Sequence, residues 1–125
     1  MNPVYTGKDV SFIDTKQAQR EAECVLQDGE KWATIAALLG ARYPDAALDK
    51  AWRQLIYGAH HDGITGSESD QVYLDLLAGW RESRDLAHSV HSKATAYLCS
   101  LIALDREGWA LTVFNALSWD RSDLV

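Results

Sequence analysis

The residues with the most chemistry to offer stand together in "GAHHDGITGSESD", Gly58 to Asp70, where His60, His61 and Asp62 precede a glycine-rich turn. Imidazole nitrogens and carboxylate oxygens are ligands for a borderline-soft divalent cation such as zinc. Zinc takes four protein ligands in a structural site, or three plus water in a catalytic one, and this cluster offers at most one imidazole and one carboxylate. Adjacent residues on a helix point about 100° apart, so His60 and His61 reach one ion only where the helix has already unwound. One of the two is therefore the better ligand. A helix C-terminus also favours a nearby cation, because its last carbonyls carry the negative end of the dipole. The plainer reading is a polar, solvated helix end, and on residue types alone it is the commoner fate of such a cluster.

Other groups have simpler explanations. His88 and His91 stand at i and i+3 with Asp85 one turn before His88, a spacing that can bind a metal. They also flank an apolar stripe, where the polar edge of a bundle is expected. The five tryptophans offer flat faces for stacking on a sugar, but Trp32, Trp52 and Trp80 lie on core stripes, so packing explains them better. Asp45 and Asp49 share one polar helix face and read as surface charges. Cys24 and Cys99 lie inside helix-like segments without a CxxC spacing and are expected to be small buried thiols.

The elements that position these residues follow from periodicity. From Thr15 to Leu39, the residues Ala18, Ala22, Val25, Gly29, Trp32, Ala36 and Leu39 recur at steps of three and four, which predicts one helix. The stripe keeps its phase across Gly29, so the helix should be continuous with a close contact there, and Gly40 fits a C-terminal cap. Pro44-Asp45 restarts the pattern. Leu48, Ala51, Trp52, Leu55 and Ile56 define a second helix running into His60 and His61, with Gly63 as its stop. Thr65 with Glu68, and Ser67 with Asp70, are both capping-box spacings, so a third helix begins near Ser67. Leu76, Trp80, Ser83, Ala87, Val90, Ala94, Tyr97 and Leu101 give that helix a seven-residue rhythm. The fold class is all-α: three antiparallel helices in a bundle, followed by a short C-terminal β-strand segment.

That segment, "WALTVFNALSW", has no helical stripe and is rich in β-formers. Its unpaired backbone groups need a sheet that the chain does not supply. The expected organisation is a three-helix domain over residues 1–104, then a linker and the first strand or strands of a missing β domain over residues 105–125. The chain thus reads as a middle piece of a longer protein.

Composition bounds the function classes. The chain has 125 residues, 47% hydrophobic, with only 2 prolines, which suits one folded domain. A net charge of −6, with basic residues interspersed among acidic ones, offers nothing to nucleic acid or to an anionic membrane surface. The start "MNPVYTGKDV" lacks the pattern of a signal peptide, and no segment approaches the ~20 apolar residues of a membrane span. With free cysteines, this leans towards a cytoplasmic location.

The run "AWRQLIYGAHHDGITGS" from Ala51 to Ser67, followed by a long helix and then "VFNALSWDR" from Val113 to Arg121, resembles the α-mannosidases of glycoside hydrolase family 38. In that family a His-Asp pair and a short turn end one helix of a three-helix middle domain, and a "VFN-x-LSW-x-R"-like segment opens the β-rich C-terminal region. "HHDGIT" looks more like the lysosomal and Golgi branches than the "FHD-x-LPG" form, whereas "GSESDQVY" departs from their "GTAKQ". The resemblance therefore reaches the family and not the branch.

By that resemblance, His61 is a ligand of one Zn2+, Asp62 contacts hydroxyls of the bound mannose, and His60 lines the site without binding metal. The remaining zinc ligands and both reacting carboxyl groups are expected in an N-terminal catalytic domain absent from this chain, so neither nucleophile nor general acid is assigned here. The implied reaction is retaining hydrolysis of terminal α-mannosyl residues in glycans, with two carboxyl groups about 5 Å apart across the scissile bond. Zinc holding adjacent mannose hydroxyls would help orient and distort the ring. The implied partners are an α-mannoside or glycan and the N-terminal catalytic and C-terminal β domains of the same protein. The segment alone should be inactive. Two other readings differ in kind: a helical interaction module whose "HHDG" is a plain helix terminus, and a self-contained metal-binding bundle that also uses His88 and His91.

Overall fold

The computed structural model describes residues 12–105 and 108–124. Residues 1–11 of the expected helical domain, the linker residues Arg106 and Glu107, and Val125 lie outside the described residues. The elements are α1 (Ile13–Leu38), α2 (Asp45–Gly58), α3 (His61–Ile64) and α4 (Asp70–Ser100). None of these helices is long and apolar enough to cross a membrane.

Helix α1 runs unbroken through Gly29, as the phase of its stripe predicts. A Cβ on Gly29 would lie 3.2 Å from the Ala87 carbonyl oxygen and 3.4 Å from the His91 nitrogen, so glycine lets the backbones of α1 and α4 approach. The buried line is Ala22, Leu26, Gly29, Ala33 and Ala36, one residue out of step with the expected Val25 and Trp32. Small side chains occupy the close seam, and the broad Trp32 is left at its margin. Gly40, at φ 107°, ends the helix: the Ala41 N–H donates to the Ala36 carbonyl at 3.0 Å in a Schellman closure. The Tyr97 hydroxyl donates to the exposed carbonyl of Leu39 at 2.9 Å. Leu39 itself, placed on the stripe by spacing, is exposed.

Helix α2 buries Leu48, Ala51, Leu55 and Gly58, while Ile56, expected inside, is exposed. Helix α4 buries Leu76, Trp80, Ser83, Ala87, Val90 and Ala94 in the predicted rhythm, then Leu98 in place of Tyr97 and Leu101. The chain has passed the end of α1 by then, so Leu101 is left about half exposed. Two polar groups in the core are satisfied: Trp80 Nε1 donates to Gln19 Oε1 at 2.7 Å, and Ser83 Oγ to the Ala51 carbonyl at 2.9 Å.

These contacts set the topology. Asp14 with Tyr73, Gln19 with Trp80 and Leu39 with Tyr97 run in the same order along both helices, so α1 and α4 are parallel. Ala51 with Ser83 and Gly58 with Trp80 run in opposite order, so α2 returns between them. The bundle is up-down-up, and only neighbours in sequence are antiparallel.

A further expectation is corrected. Cys24 and Cys99 are exposed, because both fall outside the buried lines of their helices. Among the described residues no strand forms after α4: 109–116 are extended or irregular without sheet partners, in keeping with the absence of any neighbouring strand. The segment is still held to α1. Phe114 meets Trp32 edge-on with ring centroids 5.1 Å apart, and Lys31 Nζ donates to the Ala116 carbonyl at 3.2 Å. Asn115 closes a turn, accepting from Leu117 N–H at 3.2 Å and donating to the Trp119 carbonyl at 2.8 Å.

Candidate functional site

The candidate site is built where α2 gives way. The second helix stops at Gly58, before the histidines that periodicity had placed on it. A Cβ on Gly58 would fall 2.6 Å from Cε2 of Trp80, so glycine permits a contact that pins the helix end against the core. His60 is extended (φ −60°, ψ 148°) and acts as the N-cap of the one-turn α3, its Nδ1 accepting the Gly63 N–H at 3.2 Å. Gly63 lies inside that turn rather than ending α2. A Cβ there would come within 2.8 Å of Leu76 Cδ1, so the turn rests directly on α4.

The capping expectations also shift. Neither capping box starts α4, which begins at Asp70 after Ser69 without a side-chain cap. The Thr65 hydroxyl donates to the His61 carbonyl, and the Ser67 hydroxyl and N–H donate to the Asp62 carbonyl at 3.3 Å and 3.1 Å. Both residues close the site turn, a local side-chain use that competes with capping the next helix.

Unwinding at His60 brings the three predicted site residues together. The His60 and His61 ring centroids are 5.2 Å apart. Asp62 lies between the rings: Oδ2 is 3.4 Å from His60 Nε2, and Oδ1 is 3.4 Å from His61 Nε2. One ligand atom from each of the three residues falls within a 4.8 Å group, and all three residues are exposed. Such a set can form one open corner of a metal site.

The two imidazoles are not equivalent. A neutral imidazole has one lone pair in its plane and one N–H. His60 spends its lone pair on Gly63, so its Nε2 carries the proton and faces the Asp62 carboxylate. Among the described residues His61 makes no hydrogen bond of that kind, and its side chain is 86% exposed, which leaves a lone pair to offer an ion. The donor chemistry thus fits a zinc ligand at His61 better than at His60.

Tyr57 is a neighbour that periodicity missed: its ring stacks over His60 at a centroid distance of 6.5 Å and an interplanar angle of 20°. The i, i+3 spacing was visible, but it became meaningful only once α2 was known to end between the two residues. His88 is exposed with Nε2 4.0 Å from Glu21 Oε1, and Asp85, His88 and His91 form no three-donor group among the described residues. Trp80 is buried, Trp32 and Trp52 are half-buried, and Trp52 Nε1 donates to Glu30 Oε2 at 3.0 Å, all consistent with structural roles. Asp49 pairs with Arg53 at 2.8 Å, and that hydrogen bond holds its carboxyl below the usual carboxylate range.

Comparison with known proteins gives three results. The family model described as the alpha mannosidase middle domain matches residues 4–98. The proteins named Alpha-mannosidase 2C1 from Mus musculus and Homo sapiens are 29% and 28% identical over 124 residues, 98% of this chain. The chain spans about 12% of the length of each of these curated relatives. No solved structure matches the chain.

Proposed function

Because the chain belongs to the alpha mannosidase middle domain family, we propose that it serves as the middle segment of a zinc-dependent retaining α-mannosidase acting on terminal α-mannosyl residues of glycans. The observation that carries this reading is the convergence of His60, His61 and Asp62 on the unwound end of α2, open to solvent on one side. In this reading His61 gives one ligand to zinc, and Asp62 contacts sugar hydroxyls beside it. His60 holds the turn and lines the pocket.

Each role follows from the chain's own groups. His60 orients the turn through Gly63, and its Nε2–H can hold the Asp62 carboxylate in place as an acceptor for sugar hydroxyls. Tyr57 lies nearly parallel to the His60 ring at a centroid distance of 6.5 Å and adds an aromatic face beside it. Zinc, when bound, would supply Lewis-acid positioning of adjacent hydroxyls. The reacting carboxyl groups belong to an N-terminal domain outside this chain, which leaves the segment inactive alone.

The exposed side chains of Trp109, Leu111, Val113, Trp119 and Leu124 support the further reading that residues 105–125 lead into a β domain, where these apolar groups would be covered. Phe114 on Trp32 would fix where that segment leaves the bundle. The test is hydrolysis of an aryl α-mannoside by the complete enzyme. Activity lost to a chelator and restored by zinc is expected, whereas activity indifferent to chelation would overturn the zinc-dependent reading.

A further inference from the structure

At the end of the bundle away from His60, between the α1–α2 connection and α4, lies a cavity of about 320 Å3. Helix α2, 14 residues long, separates the two places by roughly 20 Å at 1.5 Å per residue. Ala33, Ala36, Ala47 and Ala94 give the cavity an apolar floor, and Arg42 and Lys93 contribute to its lining. Its volume is at the lower end of the range for small-molecule pockets.

The charges set this cavity apart. The chain carries a net charge of −6, and Arg20, Lys31, Lys50, Arg53, Arg84 and Arg121 each stand within 4.0 Å of a carboxylate. Arg42, Arg81 and Lys93 have no such carboxylate among the described residues, and two of these three line this one cavity. Unneutralised cations beside a concave apolar surface complement an anion that carries a hydrocarbon body.

We propose that this cavity binds a small organic monoanion, with its carboxylate between Arg42 and Lys93 and its apolar body on the alanine floor. Charge-assisted hydrogen bonds to both cations fix the head group, and burial of the hydrocarbon supplies the remaining affinity. The site is separate from the His61 corner, and its occupancy does not depend on zinc.

The test uses 4-phenylbutyrate as the probe and amide chemical shifts of the 125-residue chain as the readout. Saturable shifts centred on Ala33, Ala36, Ala47 and Ala94 are expected at millimolar probe, with Kd weakened about tenfold or more in R42Q/K93Q. The neutral analogue 4-phenylbutan-1-ol, applied to the unaltered chain, should bind similarly weakly, and this arm does not depend on how the variant folds. Absence of saturable shifts at the cavity, equal affinity for the alcohol, or unchanged affinity in a folded R42Q/K93Q would each overturn the proposal.

Discussion

His60 Nδ1 accepts the Gly63 N–H at 3.2 Å, and this one hydrogen bond makes the first histidine of the pair a helix cap. His60→Ala should free the Gly63 amide and loosen α3 by about 1 kcal/mol, the usual cost of a lost N-cap. Hydrogen exchange at Gly63 should then quicken by roughly five- to tenfold, and His60→Asn, which can still cap, should restore most of the protection. Unchanged exchange in His60→Ala would remove the capping role.

Gly58 and Trp80 should behave as a coupled pair. Gly58→Ala drives a methyl into the indole, at 2.6 Å from Cε2, and should cost about 1–3 kcal/mol of stability in urea unfolding. In a Trp80→Phe background the indole atoms that clash are gone, so the same change should cost about 1 kcal/mol less or better. Strict additivity of the two substitutions would contradict the contact.

The α2–α4 seam carries a pH-sensitive clasp. Glu82 accepts from Lys50 and, at 2.7 Å, from Gln54 Nε2, and these hydrogen bonds, Lys50 foremost, hold its carboxyl below the usual glutamate range. A carboxyl depressed in the folded state adds stability above its unfolded pKa, near ~4.3, and loses it as pH falls through the lower folded value. Thermal unfolding followed from neutral to acid pH should show this loss, and Glu82→Gln should flatten the profile in that window. An identical slope in the variant would assign the acid sensitivity elsewhere.

Much of the bundle was legible because its signals are local. The Gly29 phase, the Gly40 cap and six of the buried α4 positions all follow from helical spacing and backbone chemistry. The end of α2 was not legible, because the stripe up to Ile56 leads straight into Ala59 and His60, and the extended backbone at His60 goes with its side-chain cap on Gly63 rather than with any break in periodicity. The same blind spot misassigned Thr65 and Ser67, whose hydroxyls had two helices to serve and chose the nearer turn. Exposed cysteines were missed because burial was inferred from the small thiol and its place inside a helix, although neither Cys24 nor Cys99 stands on the apolar stripe of its helix. The site residues were named by type and motif, but their convergence depends on the unwound backbone at His60, which adjacency on a helix argues against.

The asymmetry between the two histidines is the most direct handle on the proposed function. Zinc content should be measured by elemental analysis of the complete enzyme carrying His61→Ala or His60→Asn. The account predicts that His61→Ala loses most of its bound zinc, with aryl α-mannosidase activity falling alongside, while His60→Asn retains the metal. Full zinc and full activity in His61→Ala would contradict it.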